Sequence, residues 1–442
     1  MDRETMDVPA VHTPSPDSNE AGFFRRLGPG LITGASDDDP SGIATYSQAG
    51  AAFGYGLLWT MLVSLPLMAA FQEISARIGR ITGHGIAGNI RRHYPAWLLY
   101  PMVLLLLVAN IINLGADIGA MGDATRLLFG GPALVYSILF TIAIVVLQVF
   151  ASYSRCCSVL KFLTLALFSY VLTTFMIHVP WTTVLKSTLL PRFQSNGDYW
   201  ATFVAVLGTT ISPYLFFWQA SMETEEIKSH AQEKSLRMAP EQASGQFKRI
   251  RFDTYIGMAF SNIVSFFIIV AAATTLNVHG VKSIDTSAQA AEALRPLAGN
   301  AAFVLFAAGI IGTGLLAVPV LAGSAAYAVG EAFAWRTGMD RAPRAAKGFY
   351  GVLTIAMVLG LLINFPQVQK LTHLSPIKAL FWSAVINGVV AVPIMVVVML
   401  MAQNRKVLGQ FEHTGKPLQI MGWLATAVMA AGAVMIFVTW ES

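Results

Sequence analysis

Charge is the scarcest property of this chain. Only 12% of its 442 residues are Asp, Glu, Lys or Arg, against 55% hydrophobic residues and a mean hydropathy of +0.60. Soluble domains carry about 25% charged residues, so a soluble globular protein is excluded. Cysteine is almost absent. The two present, Cys156 and Cys157, are adjacent and fall in a short loop. They exclude a disulfide framework, and an isolated Cys-Cys pair reads as packing rather than a metal site. Histidine is missing from the middle of every apolar run. All eight (His12, His84, His93, His178, His230, His279, His373 and His413) sit in loops or at run ends. No imidazole is therefore available at mid-membrane depth to bind a transition metal or relay protons. Nothing resembles a nucleophile–base pair or a phosphate-binding loop, so an enzyme is not indicated. The formal charge of +5 is spread over short loops and does not suggest nucleic acid. Residues 1–22 are polar with no apolar core, which predicts a disordered tail and no cleavable signal peptide.

What the chain has instead is apolar length. Windows of about 20 residues, enough to cross a bilayer, recur at roughly 28–53, 56–79, 97–128, 132–151, 158–178, 198–221, 252–276, 300–333, 347–365, 376–402 and 416–440. They predict an all-α polytopic membrane protein. Lys and Arg fix the orientation. With the N-terminus in the cytoplasm, 22 of the 29 basic residues fall on the inner side and 7 on the outer, and the C-terminus lies outside. The longest and most charged link, Met222–Arg251, is expected to be an amphipathic or irregular cytoplasmic segment.

The first window holds the least expected chemistry. Its middle reads Ser36-Asp37-Asp38-Asp39-Pro40-Ser41-Gly42. Carboxylates at membrane depth are expensive and imply a cavity, a counter-ion or a cation path. Pro40 disfavours helix at Asp39, and Gly42 adds freedom, so the helix is predicted to unwind there. The sixth window repeats the pattern at Gly208-Thr209-Thr210-Ile211-Ser212-Pro213-Tyr214. Matching Pro-interrupted helices at the start of two five-helix blocks point to an inverted-repeat transporter with its substrate site between the breaks. The expected organisation is a tail, 1–22, and a transmembrane domain, 23–442. That domain comprises repeat one (about 28–178), repeat two (about 198–402) and an added helix (about 416–440).

Further polar residues lie inside the membrane. Asn110, Asn113 and Asp117 share one face of the third span by their i, i+3, i+7 spacing. The asparagines suit interhelical hydrogen bonding, and Asp117 suits a polar wall of an ion or proton path. Asp123 with Arg126 reads as a structural pair. Asn387, Pro393 and the Gly312, Gly314, Pro319 run read as packing and local unwinding.

At this point a family becomes recognisable. Gly28-Pro29-Gly30, Asp39-Pro40-Ser41-Gly42 and Phe53-Gly54-Tyr55 resemble the first span of Nramp divalent-metal transporters. So do the stretch from Gln72 to Gly83, Leu127-Leu128-Phe129-Gly130, and Ala322-Gly323. The resemblance implies a LeuT-like fold of five plus five helices with an eleventh, and alternating access. It also implies a divalent metal ion (Mn²⁺ or Fe²⁺) as cargo rather than a cofactor, imported with protons. Asp39 would be the charged ligand. Thr209 would supply the carbonyl, with Ser212 and the backbone at Gly42 completing the metal set. Asp117 matches the family's span-three aspartate.

Departures shift the expected chemistry. The family asparagine is Gly42 here, and its Met-Pro-His is Ser212-Pro213-Tyr214. Its two span-three glutamates become Asn110 and Ala120, while Asp37 and Asp38 stand where ordinary members are neutral. Losing a thioether removes a preference for soft metals, and extra carboxylates suit a hard, partly hydrated ion such as Mg²⁺ or Mn²⁺. Loss of the histidine and glutamates argues against proton coupling. Asp37, Asp38, Asn110, Asn113, Asp117 and Tyr214 form the candidate transport path. Two other functions compete. An organic-cation or amino-acid carrier on the same fold is disfavoured because three aspartates would repel a substrate carboxylate. A non-transporting metal sensor would require an output domain from a partner. Oligomeric state is not legible in the sequence.

Overall fold

The computed structural model describes residues 29–150, 167–230, 232–339, 341–372, 375–411 and 415–439. The expected tail, the Cys156-Cys157 pair and the start of the fifth window lie outside them. The described residues form helices and no strand: α1 (Pro29–Asp37), α2 (Pro40–Phe53), α3 (Trp59–Thr82), α4 (Ile86–His93), α5 (Ala96–Phe129), α6 (Ala133–Phe150), α7 (Phe168–Met176), α8 (Trp181–Leu189), α9 (Gly197–Thr210), α10 (Pro213–Ser229), α11 (Ala243–Ala272), α12 (Ala302–Ala332), α13 (Lys347–Ile363), α14 (Pro376–Ala402) and α15 (Lys416–Val438). Among the described residues, eight stretches are long and apolar enough to cross a bilayer by length and composition.

Both predicted interruptions are present. The first window is two helices, α1 and α2, broken at Asp38-Asp39. Asp39 is extended (φ −71°, ψ 170°) and N-caps α2, with Pro40 at the first helical position. That position tolerates proline because its missing N–H would have no partner there anyway. The sixth window breaks the same way between α9 and α10. Ser212 is extended (φ −75°, ψ 129°) and Pro213 begins α10.

The other prolines behave differently. α12 runs unbroken through Pro319, and α14 through Pro393. The local unwinding expected there is absent, since a proline kink can be held helical by the helices packed around it. Gln148 Nε2 of α6 donates to the Pro319 carbonyl at 2.9 Å, tying α12 to a neighbour at this point. The Met222–Arg251 link is also more ordered than expected. α10 extends to Ser229, and α11 starts at Ala243. Between them the backbone N–H groups of Leu236 and Arg237 donate to the carbonyls of Arg80 and Ile81, folding the link onto the end of α3.

Packing places the broken helices at the centre. α1 lies along α11, α2 contacts α11, α9 and α14, and α10 packs on α3 and α12. α1 and α11 meet backbone to backbone, because a Cβ at Gly34 would stand 2.3 Å from the Gly257 carbonyl carbon. The N–H of Gly30 donates to Asp253 Oδ2 at 2.6 Å, closing the start of α1 onto the same helix.

Candidate cation site

Asp39 is the meeting point of the two breaks. As an N-cap it accepts through Oδ1 from the Gly42 N–H and the Ser41 hydroxyl, each at 2.7 Å. These bonds hold the carboxylate at the positive end of α2. Oδ2 is left to face the neighbouring helices. It accepts from Asn113 Nδ2 of α5 at 3.0 Å, and Tyr214 Oη of α10 lies at 3.5 Å. The Tyr214 hydroxyl also reaches the Ser36 carbonyl at 3.3 Å, so one O–H from the second broken helix is shared between the two halves of the first. Asn113 is in turn oriented by Ser383 of α14, whose hydroxyl donates to Asn113 Oδ1 at 2.7 Å. Ser324 of α12 donates to the Tyr214 carbonyl at 2.8 Å.

Gly42 and Thr209 face one another across the breaks. A Cβ at position 42 would lie 3.1 Å from Thr209 Oγ1 and 3.3 Å from Tyr46 Cε2. The closeness gives a reason for glycine where the family carries asparagine. Thr209 Oγ1 is buried and has no hydrogen-bond partner among the described residues. Ser212 is directed elsewhere. Its hydroxyl lies 2.8 Å from the carbonyls of both Gly208 and Thr209, capping the end of α9 rather than projecting toward Asp39.

Of the other sequence candidates, Asp117 is fully buried on α5, and neither carboxylate oxygen has a well-formed partner. Asp39 and the Ser41 amide are its recorded neighbours. Asn110 is spent on packing, donating to the Leu321 carbonyl of α12 at 3.0 Å. Asp37 and Asp38 turn away from Asp39 toward α11, where their oxygens meet Ser261 and Ser265. The Asp123–Arg126 pair forms as expected, and Ser287 adds a 2.5 Å hydrogen bond to Asp123. Ser261, Ser265, Tyr46 and Ser383 escaped the sequence reading. The serines of α11 did leave a signal, being spaced i, i+4 on one face of an apolar span.

The electrostatics are one-sided. Asp37, Asp38, Asp39 and Asp117 are each at most 1% exposed, and among the described residues none of them pairs with Lys, Arg or His. Nor do three or more His, Cys, Asp or Glu side chains converge on one point among the described residues. A cation at Asp39 would thus be completed by hydroxyls, amide oxygens and helix-end carbonyls, all hard donors. A cleft of about 670 Å³ flanks α2 beyond Asp39, lined by Ala44, Gln48, Asp198, Thr202, Lys378 and Trp382 among others. Gln48 ties its rim to the following connection, donating to the Lys282 carbonyl and accepting from the Ile284 N–H.

A multi-pass membrane transporter built around two broken helices is the class that this fold and site define. The profile of the family described as Natural resistance-associated macrophage protein-like (Nramp) matches residues 30–439, and the chain belongs to that family. Among its relatives is the divalent metal cation transporter MntH of Verminephrobacter eiseniae, 24% identical over 421 residues, covering 93% of this chain and 89% of that protein. The MntH of Deinococcus radiodurans is 24% identical over 411 residues, covering 92% and 87%. In structure the chain is similar to the manganese transporter of Eremococcus coleocola, with a TM-score of 0.75 at 16% identity and coverage of 97% and 88%. It also matches Mhp1, a nucleobase-cation-symport-1 family transporter, with a TM-score of 0.59 at 12% identity, covering 93% and 91%. Both likenesses establish the LeuT-like fold.

Proposed function

We propose that this protein moves a divalent metal cation across the membrane by alternating access, with Asp39 as the charged ligand of the seat. The observation that carries this is a buried carboxylate, without an arginine partner among the described residues, held by a helix end with one oxygen turned toward the opposing broken helix. Membership of the Nramp family and the metal-transporting names of its relatives support the same cargo. Thr209 and the carbonyls at both breaks complete the seat. Asn113 and Tyr214 orient it, and Asp117 lines the path. Ser212 acts through the end of α9, whose carbonyls it holds.

The cargo is a hard ion, Mn²⁺ or Mg²⁺, because neither break carries a methionine, cysteine or histidine. Transport is not proton-coupled by histidine. The N-terminus is cytoplasmic, a reading supported by the 22-to-7 distribution of basic residues. Residues 1–22 form the tail and 23–442 the transporter, with an eleventh span outside the two repeats. The cleft beside α2 is the approach to the seat, and the α1–α11 contact closes the opposite side.

Uptake by proteoliposomes across a panel of Mg²⁺, Mn²⁺, Fe²⁺ and Cd²⁺ tests this reading. Wild type accumulates Mn²⁺ or Mg²⁺ without acidifying the lumen, and Asp39→Ala does not accumulate either. Normal uptake by that variant sinks the seat. Strong preference for Cd²⁺ and Fe²⁺ sinks the hard-ion assignment and leaves the seat standing.

A further inference from the structure

The geometry points to a second cation seat in this protein, formed by Asp37 and Asp38 of the first break with Ser261 and Ser265 of α11 and Tyr46 of α2, and suited to a hard divalent ion. It is separate from the Asp39 seat. Asp39 faces α5 and α10, whereas Asp37 and Asp38 face α11.

Ser261 shows why a positive charge belongs there. Its hydroxyl oxygen stands 2.7 Å from Asp37 Oδ2 and 3.0 Å from Asp38 Oδ1. A hydroxyl has one proton to donate. Two carboxylate oxygens therefore approach one donor that can serve only one of them. Ser265 Oγ lies 3.3 Å from the same Asp38 oxygen and 3.0 Å from the Ser261 carbonyl, so its proton is divided as well. The remaining oxygens, Asp37 Oδ1 and Asp38 Oδ2, are buried without any hydrogen-bond partner among the described residues.

The Tyr46 hydroxyl supplies an independent sign of a ligand. Tyr46 is 0% exposed, and its oxygen makes no hydrogen bond of ordinary geometry among the described residues. It stands beside Asp37, Asp38 and Ser265. Two carboxylates and three hydroxyls form a donor set of oxygen alone, which selects hard cations. Two negative charges balance a divalent ion and leave a monovalent one short. The end of α1, with its partial negative charge, adds to the attraction.

The position gives the seat a mechanical meaning. The start of α1 is fastened to α11 by the Gly30–Asp253 bond and the Gly34–Gly257 contact. An ion between Asp37, Asp38 and α11 fastens the other end of the same short helix.

The test is Mn²⁺ binding to the full chain in lipid nanodiscs, read by the electron paramagnetic resonance of free Mn²⁺. Wild type is expected to bind two ions per chain, and Asp37→Asn/Asp38→Asn one. Asp39→Ala also keeps one, and the triple variant none. A wild type that saturates at one ion, lost in Asp39→Ala and kept in Asp37→Asn/Asp38→Asn, overturns the second seat, as does an Asp37→Asn/Asp38→Asn variant that still binds two. Should the double variant not fold, Ser261→Ala/Ser265→Ala takes its place. It weakens one of two ions by roughly tenfold, the loss of about one charge-assisted hydrogen-bonding group, and an unchanged isotherm overturns the proposal. Retention of two ions by Asp39→Ala overturns the Asp39 seat alone, so the two assignments fail separately.

Discussion

Two sets of buried carboxylates in this molecule have opposite surroundings. Near the Met222–Arg251 link every acid named next has an arginine. The buried Glu73 meets Arg77 at 2.5 Å and the buried Glu223 meets Arg249 at 2.5 Å, while the part-exposed Glu233 meets the fully buried Arg80 at 2.6 Å. At the first break, Asp37, Asp38 and Asp39, with Asp117 opposite, are just as buried and have no basic partner among the described residues. Placing a charge in a low-dielectric interior costs several kcal/mol unless it is paired. The arginine-paired acids are therefore complete as structure. The unpaired ones lack such a partner, and on the proposed reading a cation supplies it, which would separate scaffold from site.

Substitutions can break this contrast from both sides. The largest effect is expected for Asp39→Ala, which removes the charged ligand itself. Uptake should fall by roughly 1000-fold, on the order of 4 kcal/mol, in line with removing one partner of a buried charged contact. The Tm should change little, since loss of the α2 cap, about 1 kcal/mol, is offset by removal of an uncompensated buried charge. A variant with near-normal uptake would place the cation elsewhere. On the paired side, Glu223→Gln strands the charge of Arg249, whose side chain keeps 24% exposure. It should lower stability by about 2 kcal/mol, measured as thermal unfolding in detergent, with uptake per folded molecule preserved. Loss of metal selectivity in that variant would dissolve the distinction.

Smaller changes sharpen the picture at the seat. Gly42→Asn puts a side chain 3.1 Å from Thr209 Oγ1 and should reduce Mn²⁺ affinity by roughly tenfold. Combining it with Thr209→Ala relieves the clash, so the double variant should bind better than Gly42→Asn alone. Additive losses would show that the two positions do not meet. Ser212→Ala removes a cap on α9 rather than a direct contact to Asp39. It should cost about 1 kcal/mol of stability and change uptake by only a few-fold.

The smallest effect lies outside the spans, at His84. Burial, and then Arg92, pushes this imidazole from 6.5 down to about 4. The folded protein keeps it neutral where an unfolded chain would protonate it. Its contribution to stability is therefore complete above about pH 6.5 and is lost as the pH falls through about 4. His84→Gln should flatten the fall in Tm between those values, and an unchanged slope would assign the acid sensitivity to other groups.

Several features were legible because they are local. Asp39-Pro40 and Ser212-Pro213 each state a helix break in a dipeptide, since the proline ring restricts the residue before it and accepts the first helical position. Pro319 and Pro393 look similar in sequence, yet α12 and α14 continue through them. The difference is context, since whether a helix continues through a proline depends on the helices packed against it, which come from far away in the chain. The polar face of Asn110, Asn113 and Asp117 was also readable from spacing. Which of the three reaches Asp39 was not, because that depends on how α5 is rotated against α2.

The sequence by itself determined that this is a helical membrane protein, that two spans are broken, and that the acidic break calls for a cavity, a counter-ion or a cation path. Each follows from the cost of charge and of unsatisfied backbone groups in a bilayer, which one segment is enough to reveal. Only the tertiary structure decided that Asp39 turns to Asn113 and Tyr214 while Asp37 and Asp38 turn to Ser261. Of three consecutive residues at a helix break, two turn one way and the third another, and the helices packed around them settle what each one faces.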